Sequence, residues 1–137
     1  MYLWGGETTV TLPDSPGSGG RNQHLALAAA CALKDDRDIM LLAAGTDGTD
    51  GPTHAAGAIV DSGTLDRGSV CGQTAARCME RADAAACLEA SGDLITTGPT
   101  GTNVMDVVIG LKMTAALQAD LENGETGMFE SMIEKST

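Results

Sequence analysis

Ile39-Met40-Leu41-Leu42-Ala43-Ala44 runs directly into Gly45-Thr46-Asp47-Gly48-Thr49-Asp50-Gly51-Pro52-Thr53. The first stretch is continuously apolar and of strand length. It lacks the alternation of a half-wet strand, so it predicts a strand covered on both faces. The second is glycine, hydroxyl and carboxylate with one proline, which is loop chemistry. A covered strand ending in a polar Gly-rich loop points to the α/β class, in which loops at strand ends collect ligand-binding groups.

Working outward, Leu3 to Leu12 is rich in Thr and Val and reads as a strand, with Gly5-Gly6 marking a bulge or a close backbone approach. Pro13 to Gly20 is almost pure loop. Arg21 to Leu33 is an Ala/Leu-rich helix in which Leu25, Ala28, Ala29 and Ala32 are able to share a buried face. Lys34 to Asp38 is a charged turn. Ala55 to Asp61 fits either a short strand or a helical turn, and Thr64 to Gly68 reads as a turn. Gln73 to Ala90 reads as one long helix ended by Ser91-Gly92-Asp93. Thr96 to Asn103 is a third polar loop, followed by a strand over Val104 to Ile109. The expectation is a single layered α/β/α domain with a mixed sheet and Gly-rich loops at the strand ends. It occupies residues 1–111, with a polar helix or tail over 112–137.

The chain has 137 residues, enough for one domain. Its 8 Lys and Arg against 19 Asp and Glu give a formal charge of −11. That balance argues against nucleic acid and anionic membrane as partners, because both need a surplus of cations to displace counterions. A small anion is not excluded, since one placed Arg and a few backbone N–H groups outweigh net charge locally. The first residues form no signal peptide and no stretch is long and apolar enough for a membrane helix, so a cytoplasmic location is expected. Cys31, Cys71, Cys78 and Cys87 have no CxxC or zinc spacing and read as small buried hydrophobes. His24 and His54 lack a partner at nucleophile or metal spacing and read as surface or structural. The methionines at 105, 113, 128 and 132 read as gap-fillers or tail residues.

Three constellations could carry chemistry. In Gly17-Ser18-Gly19-Gly20-Arg21-Asn22-Gln23, glycines let successive N–H groups turn toward one concavity and the helix start adds its positive end. An anion would sit there, clamped by Arg21. No Lys-Ser/Thr pair follows, so it is not a P-loop, and Asn22 replaces the third glycine of a dinucleotide fingerprint. A plain Gly-rich turn with a solvated Arg is the alternative. Asp47 or Asp50 could hold Mg²⁺ through water or accept a proton from a substrate hydroxyl, or could simply cap local turns. The donors of Thr97 to Asn103 suit phosphate or ribose oxygens, or shape a turn. Glu7 is a carboxylate on a strand edge.

The order of these segments carries a resemblance. Gly5-Gly6-Glu7-Thr8-Thr9-Val10, Gly19-Gly20-Arg21-Asn22-Gln23, Gly45 to Ala58, Gly92-Asp93-Leu94 and Thr97 to Val104 together resemble the MOFRL domain, the carboxyl-terminal part of one class of glycerate 2-kinases. The same family has carried the label hydroxypyruvate reductase, which the missing dinucleotide fingerprint does not support. The resemblance runs from about Leu3 to Leu111. It implies transfer of the γ-phosphoryl group of ATP to the 2-hydroxyl of D-glycerate with Mg²⁺. The site would lie in a cleft against an amino-terminal domain that supplies an essential lysine. Arg21 becomes this domain's best catalytic candidate, with Asp47 or Asp50 serving the metal or the attacking hydroxyl. Gly19, Gly20, Asn22, Glu7, Thr100, Gly101, Thr102 and Asn103 would bind substrate or phosphate or brace the cleft. The expected partners are glycerate, nucleotide phosphate, an amino-terminal kinase domain in cis or trans, and a second copy of the chain. A stand-alone phosphate, glycerate or nucleotide binding module without turnover is the competing function, and an assembly domain is the third.

Overall fold

The computed structural model describes residues 1–115. Five strands form one sheet in the order β1 (Tyr2–Gly6), β5 (Asp106–Lys112), β2 (Ile39–Gly45), β3 (Gly57–Val60), β4 (Leu94–Ile95). Four helices, α1 (Arg21–Leu33), α2 (Thr64–Val70), α3 (Ala75–Glu80) and α4 (Ala84–Ser91), complete the described elements. The α/β class holds. Within it, every described strand pair is antiparallel, so the sheet is not mixed.

The helices gather on one face. Ala26, Leu27 and Ala30 of α1 meet Ala43, Ala58 and Val60 of the sheet and Cys78, Ala84, Cys87 and Leu88 of α3 and α4. Alanine dominates, so α1 lies close against the strands. On the opposite face Met40, Leu42, Ile59, Ile109 and Leu111 line a shallow apolar hollow. No described helix covers it, so the third layer expected from the sequence is not found among the described residues. β2 is accordingly only half-buried over Ile39 to Leu42. The buried side of α1 is set by Asn22, Gln23, Ala26, Leu27 and Ala30. Ala32 is exposed, because loop contacts at the start of the helix fix its rotation.

Element bounds shift for identifiable reasons. β1 ends at Gly6 rather than Leu12 because Gly6 faces Asp106, the first residue of β5, and the ladder has no further partner. The strand expected at Val104 starts instead at Asp106, after Met105 takes a left-handed φ of 69°. Met105 is thus an exposed corner and no gap-filler. The helix expected over Gln73 to Ala90 breaks at Ala82, whose φ is 50°. At the break the Gly17 N–H donates to the Arg81 carbonyl at 2.7 Å and the Ala85 N–H to the Ser18 carbonyl at 3.0 Å. The tertiary contact of the Gly-rich loop thus replaces about one turn of helix, and neither Gly nor Pro announces it. Thr64 to Gly68, expected as a turn, lies within helix α2. It is tied down by Arg67, whose Nη2 reaches Asp93 at 2.7 Å and Asp61 at 3.1 Å. Of the cysteines, Cys78 and Cys87 are buried, while Cys71 is exposed and Cys31 half-buried. Burial pushes the Cys87 thiol up to about 11, so this thiol is inert at neutral pH. The tail expected over 112–137 lies, from residue 116 on, outside the described residues.

Candidate functional site

Loops before α1, after β2 and after β1 converge on a cavity of about 490 Å³. Gly19, Gly20, Arg21, Gly51 and Glu7 all line it. Three of the segments singled out from the sequence therefore share one wall. The Thr100–Asn103 loop does not line it.

Arg21 is the first residue of α1. Its Nε donates to Asp106 Oδ2 at 2.6 Å and its Nη2 to Asp106 Oδ1 at 2.8 Å, a side-on bidentate pair. Glu7 stands 3.4 Å from the same Nη2, and Nη1 meets no partner among the described residues. The hydrogen bond to Asp106 raises the Arg21 pKa against the opposing effect of burial, so the guanidinium is permanently charged. The side chain of Arg21 is 34% exposed and that of Asp106 only 4%. The pair is anchored on the protein side and open on the cavity side. Asp106 was not among the residues expected from sequence. A single Asp at a strand start carries no pattern of its own.

Asp50 takes a different place from the one expected. It is 1% exposed and its carboxylate caps α1. Oδ1 accepts the Asn22 N–H at 3.0 Å and Asn22 Nδ2 at 3.2 Å, and Oδ2 accepts the Gln23 N–H at 2.8 Å. The helix-start amides offered to a ligand by the sequence reading are thus already used by the protein's own carboxylate. Asn22 is wholly buried in this arrangement. The glycines serve the same packing. A Cβ on Gly20 would run into the Asp50 carboxylate, and one on Gly51, where φ is +60°, would fall 2.8 Å from Gly20 Cα. Burial raises the Asp50 pKa, opposed by the Gln23 and Asn22 N–H groups.

Asp47 and the third loop form a separate knot beside the site. Asp47 Oδ1 accepts the Thr49 N–H at 3.0 Å, and Oδ2 faces Asn103 Nδ2 at 3.4 Å. Thr100 Oγ1 donates to the Thr46 carbonyl at 2.5 Å. The Val104 N–H donates to Thr46 Oγ1 at 2.8 Å, and the Met105 N–H to Asn103 Oδ1 at 3.0 Å. Thr102 is tied to Thr100 within the loop, and Gly101, with φ +75°, makes its turn. These groups brace the loop that delivers Asp106. His54 is exposed. His24, expected to be surface or structural, lines the cavity one turn beyond Arg21, and its buried Nδ1 has no described partner.

A divalent cation fits poorly here. Among the described residues no group of three His, Cys, Asp or Glu side chains could hold a metal. Both oxygens of Asp106 are engaged by Arg21 and both of Asp50 by the start of α1. No helix among the described residues is long and apolar enough to cross a membrane.

Comparison with known proteins agrees with this architecture. The model of the MOFRL family matches residues 1–106. A D-glycerate 2-kinase of Thermotoga maritima is 50% identical over 109 residues, covering 80% of this chain and 26% of that protein. A glycerate 2-kinase of Pyrococcus horikoshii is 42% identical over 111 residues, covering 81% of this chain and 25% of that protein. The crystal structure of glycerate kinase from Thermotoga maritima superposes with a TM-score of 0.77 at 49% identity, over 81% of this chain and 27% of that one. The chain spans about a quarter of the length of these relatives. On the strength of the matched family model and of relatives at this identity, the chain belongs to the MOFRL family.

Proposed function

We propose that this chain supplies the carboxyl-terminal wall of a glycerate 2-kinase active site, in which ATP phosphorylates the 2-hydroxyl of D-glycerate. The observation that carries the reading is Arg21, fixed side-on by Asp106, with Nη1 unengaged in a cavity walled by Gly-rich loops. Phosphoryl transfer asks a protein for positioning and charge stabilisation more than for covalent chemistry. A permanently charged, pre-oriented guanidinium offers both to a carboxylate or a phosphoryl oxygen. Arg21 is set against Glu7 and Asp106, so this wall alone has no surplus positive charge. The remaining cation would come from the amino-terminal part that the longer relatives contain. The described residues make no metal site, so no step is assigned here to Mg²⁺. Asp47 is engaged by Thr49 and Asn103, and Asp50 caps α1.

The test mixes this chain with the separately produced amino-terminal part of the Thermotoga maritima enzyme, ATP, Mg²⁺ and D-glycerate. Phosphoglycerate should form, and Arg21→Lys should abolish most of it. Absence of product with both parts folded would sink the proposal. The second reading, a binding module without turnover, is favoured by the incomplete charge of the wall. It predicts calorimetric binding of phosphoglycerate or ATP by this chain and no product in the mixture.

A further inference from the structure

Arg21 opens a helix at the protein surface, where an arginine ordinarily samples many rotamers and loses that freedom on binding. Here the surroundings remove the freedom in advance. Asp106 is paired across the sheet with Gly6 of β1 on one side and with Gly45 of β2 on the other. With no side chain on either neighbour, a slot is left beside the carboxylate. At Gly45 a Cβ would sit 2.5 Å from the Thr49 carbonyl and 3.7 Å from Asp106 Oδ1. The guanidinium meets this carboxylate edge-on, through Nε and Nη2.

The chain is also held immediately before Asp106. Met105 occupies the left-handed region at φ 69°, a conformation that costs about 1 kcal/mol or more for a non-glycine residue. Its carbonyl accepts the Thr46 hydroxyl at 2.7 Å and the Thr46 N–H at 3.1 Å. Its own N–H donates to Asn103 Oδ1 at 3.0 Å. Loops after β2 and before β5 therefore converge on one residue, Met105, and the next residue grips Arg21.

We propose that Asp106 is the positioning residue of this site: it fixes the Arg21 guanidinium side-on so that Nη1 and the outer edge of Nη2 meet an oxyanion in the cavity. Glu7 is the displaceable second carboxylate, being 60% exposed and at a longer distance. This inference rests on the reading of Arg21 as an anion ligand. It adds that a negative charge beside the arginine helps the binding of an anion, against the sign that electrostatics alone would give.

That sign makes the test. The probe is inorganic phosphate, titrated into the full chain while the Arg21 Nε–H resonance is followed by ¹H–¹⁵N NMR. The wild-type resonance should be discrete and protected, and should move on titration. In Asp106→Asn it should collapse toward those of exposed Arg37 and Arg77. Phosphate affinity should fall about tenfold or more, the worth of one well-placed charge-assisted hydrogen bond. Tighter phosphate binding by Asp106→Asn, as removal of a like charge predicts, would overturn the proposal. So would an unchanged Nε–H resonance. If that variant does not fold, exposed Asn103→Ala, which releases the Met105 N–H and the Asp47 contact without touching Arg21 or Asp106, should still weaken phosphate several-fold, and no loss would count against the proposal. Wild-type protein that ignores phosphate would remove the functional reading, while the resonance comparison would still decide the orientation of Arg21.

Discussion

Two aspartates meet the start of the same helix and do opposite things there. Asp50 is fully enclosed and spends both carboxylate oxygens on the amides and side chain of Asn22 and the amide of Gln23. Asp106, almost as buried, spends both on one side chain and so leaves that side chain's other edge facing the cavity. The first closes the helix N-terminus to ligands. The second turns a flexible cation into an oriented one. A carboxylate at a helix start is therefore not by itself a sign of a site; what matters is whether it uses up the binding groups or aims them.

The largest effect should separate the two residues by stability. Asp50→Ala leaves two buried amides and the Asn22 amide without acceptors, and should cost about 3 kcal/mol or more in urea denaturation. A loss below 1 kcal/mol would mean that water substitutes and the cap is dispensable. Arg21→Lys tests the other pole. Lysine keeps the charge beside Asp106 but cannot present a second fixed edge, so phosphoglycerate affinity by calorimetry should drop about tenfold with little change in the unfolding midpoint. Equal affinity would show that charge alone suffices.

A smaller effect concerns acid. Burial makes Asp50 harder to ionise in the folded protein than at its ordinary value of 3.8, so the native state holds that proton more tightly than the unfolded chain. Its contribution to stability is greatest below 3.8 and is lost as the pH rises through the folded value. The advantage of wild type over Asp50→Asn, measured by denaturation at successive pH values, should shrink across that range; a growing advantage would contradict the burial account. The smallest expected change is at Glu7. As an exposed carboxylate competing for Nη2, it should weaken anion binding slightly, so Glu7→Gln should raise phosphate affinity about two- to threefold. A loss instead would give Glu7 a direct part in holding the ligand.

The same contrast explains what the sequence could and could not disclose. α1 matches its expected bounds at both ends because Gly20 and the charged turn after Leu33 are local signals. β2 matches because an apolar run bounded by turns is also local. Of the residues that the motifs single out, Gly19, Gly20, Arg21 and Glu7 line one cavity, joined by Gly51, whereas the Thr100–Asn103 loop does not. The role of Asp50 was not, since capping α1 from the 46–53 loop is a contact between residues 28 apart in the chain. Asp106 was missed for the same reason: its partner Arg21 is 85 residues away, and its significance lies in the glycines beside it on neighbouring strands. The break at Ala82 left no trace either, because the Gly17–Ser18 loop imposes it from outside the helix.

The most direct measurement is a crystal structure of this chain with 2-phosphoglycerate bound. The account predicts an oxyanion within hydrogen-bond distance of Arg21 Nη1, with the Arg21–Asp106 pair intact and Asp50 still on the amides of Asn22 and Gln23. An ester seated on those amides with Asp50 displaced, or bound away from Arg21 altogether, would contradict it.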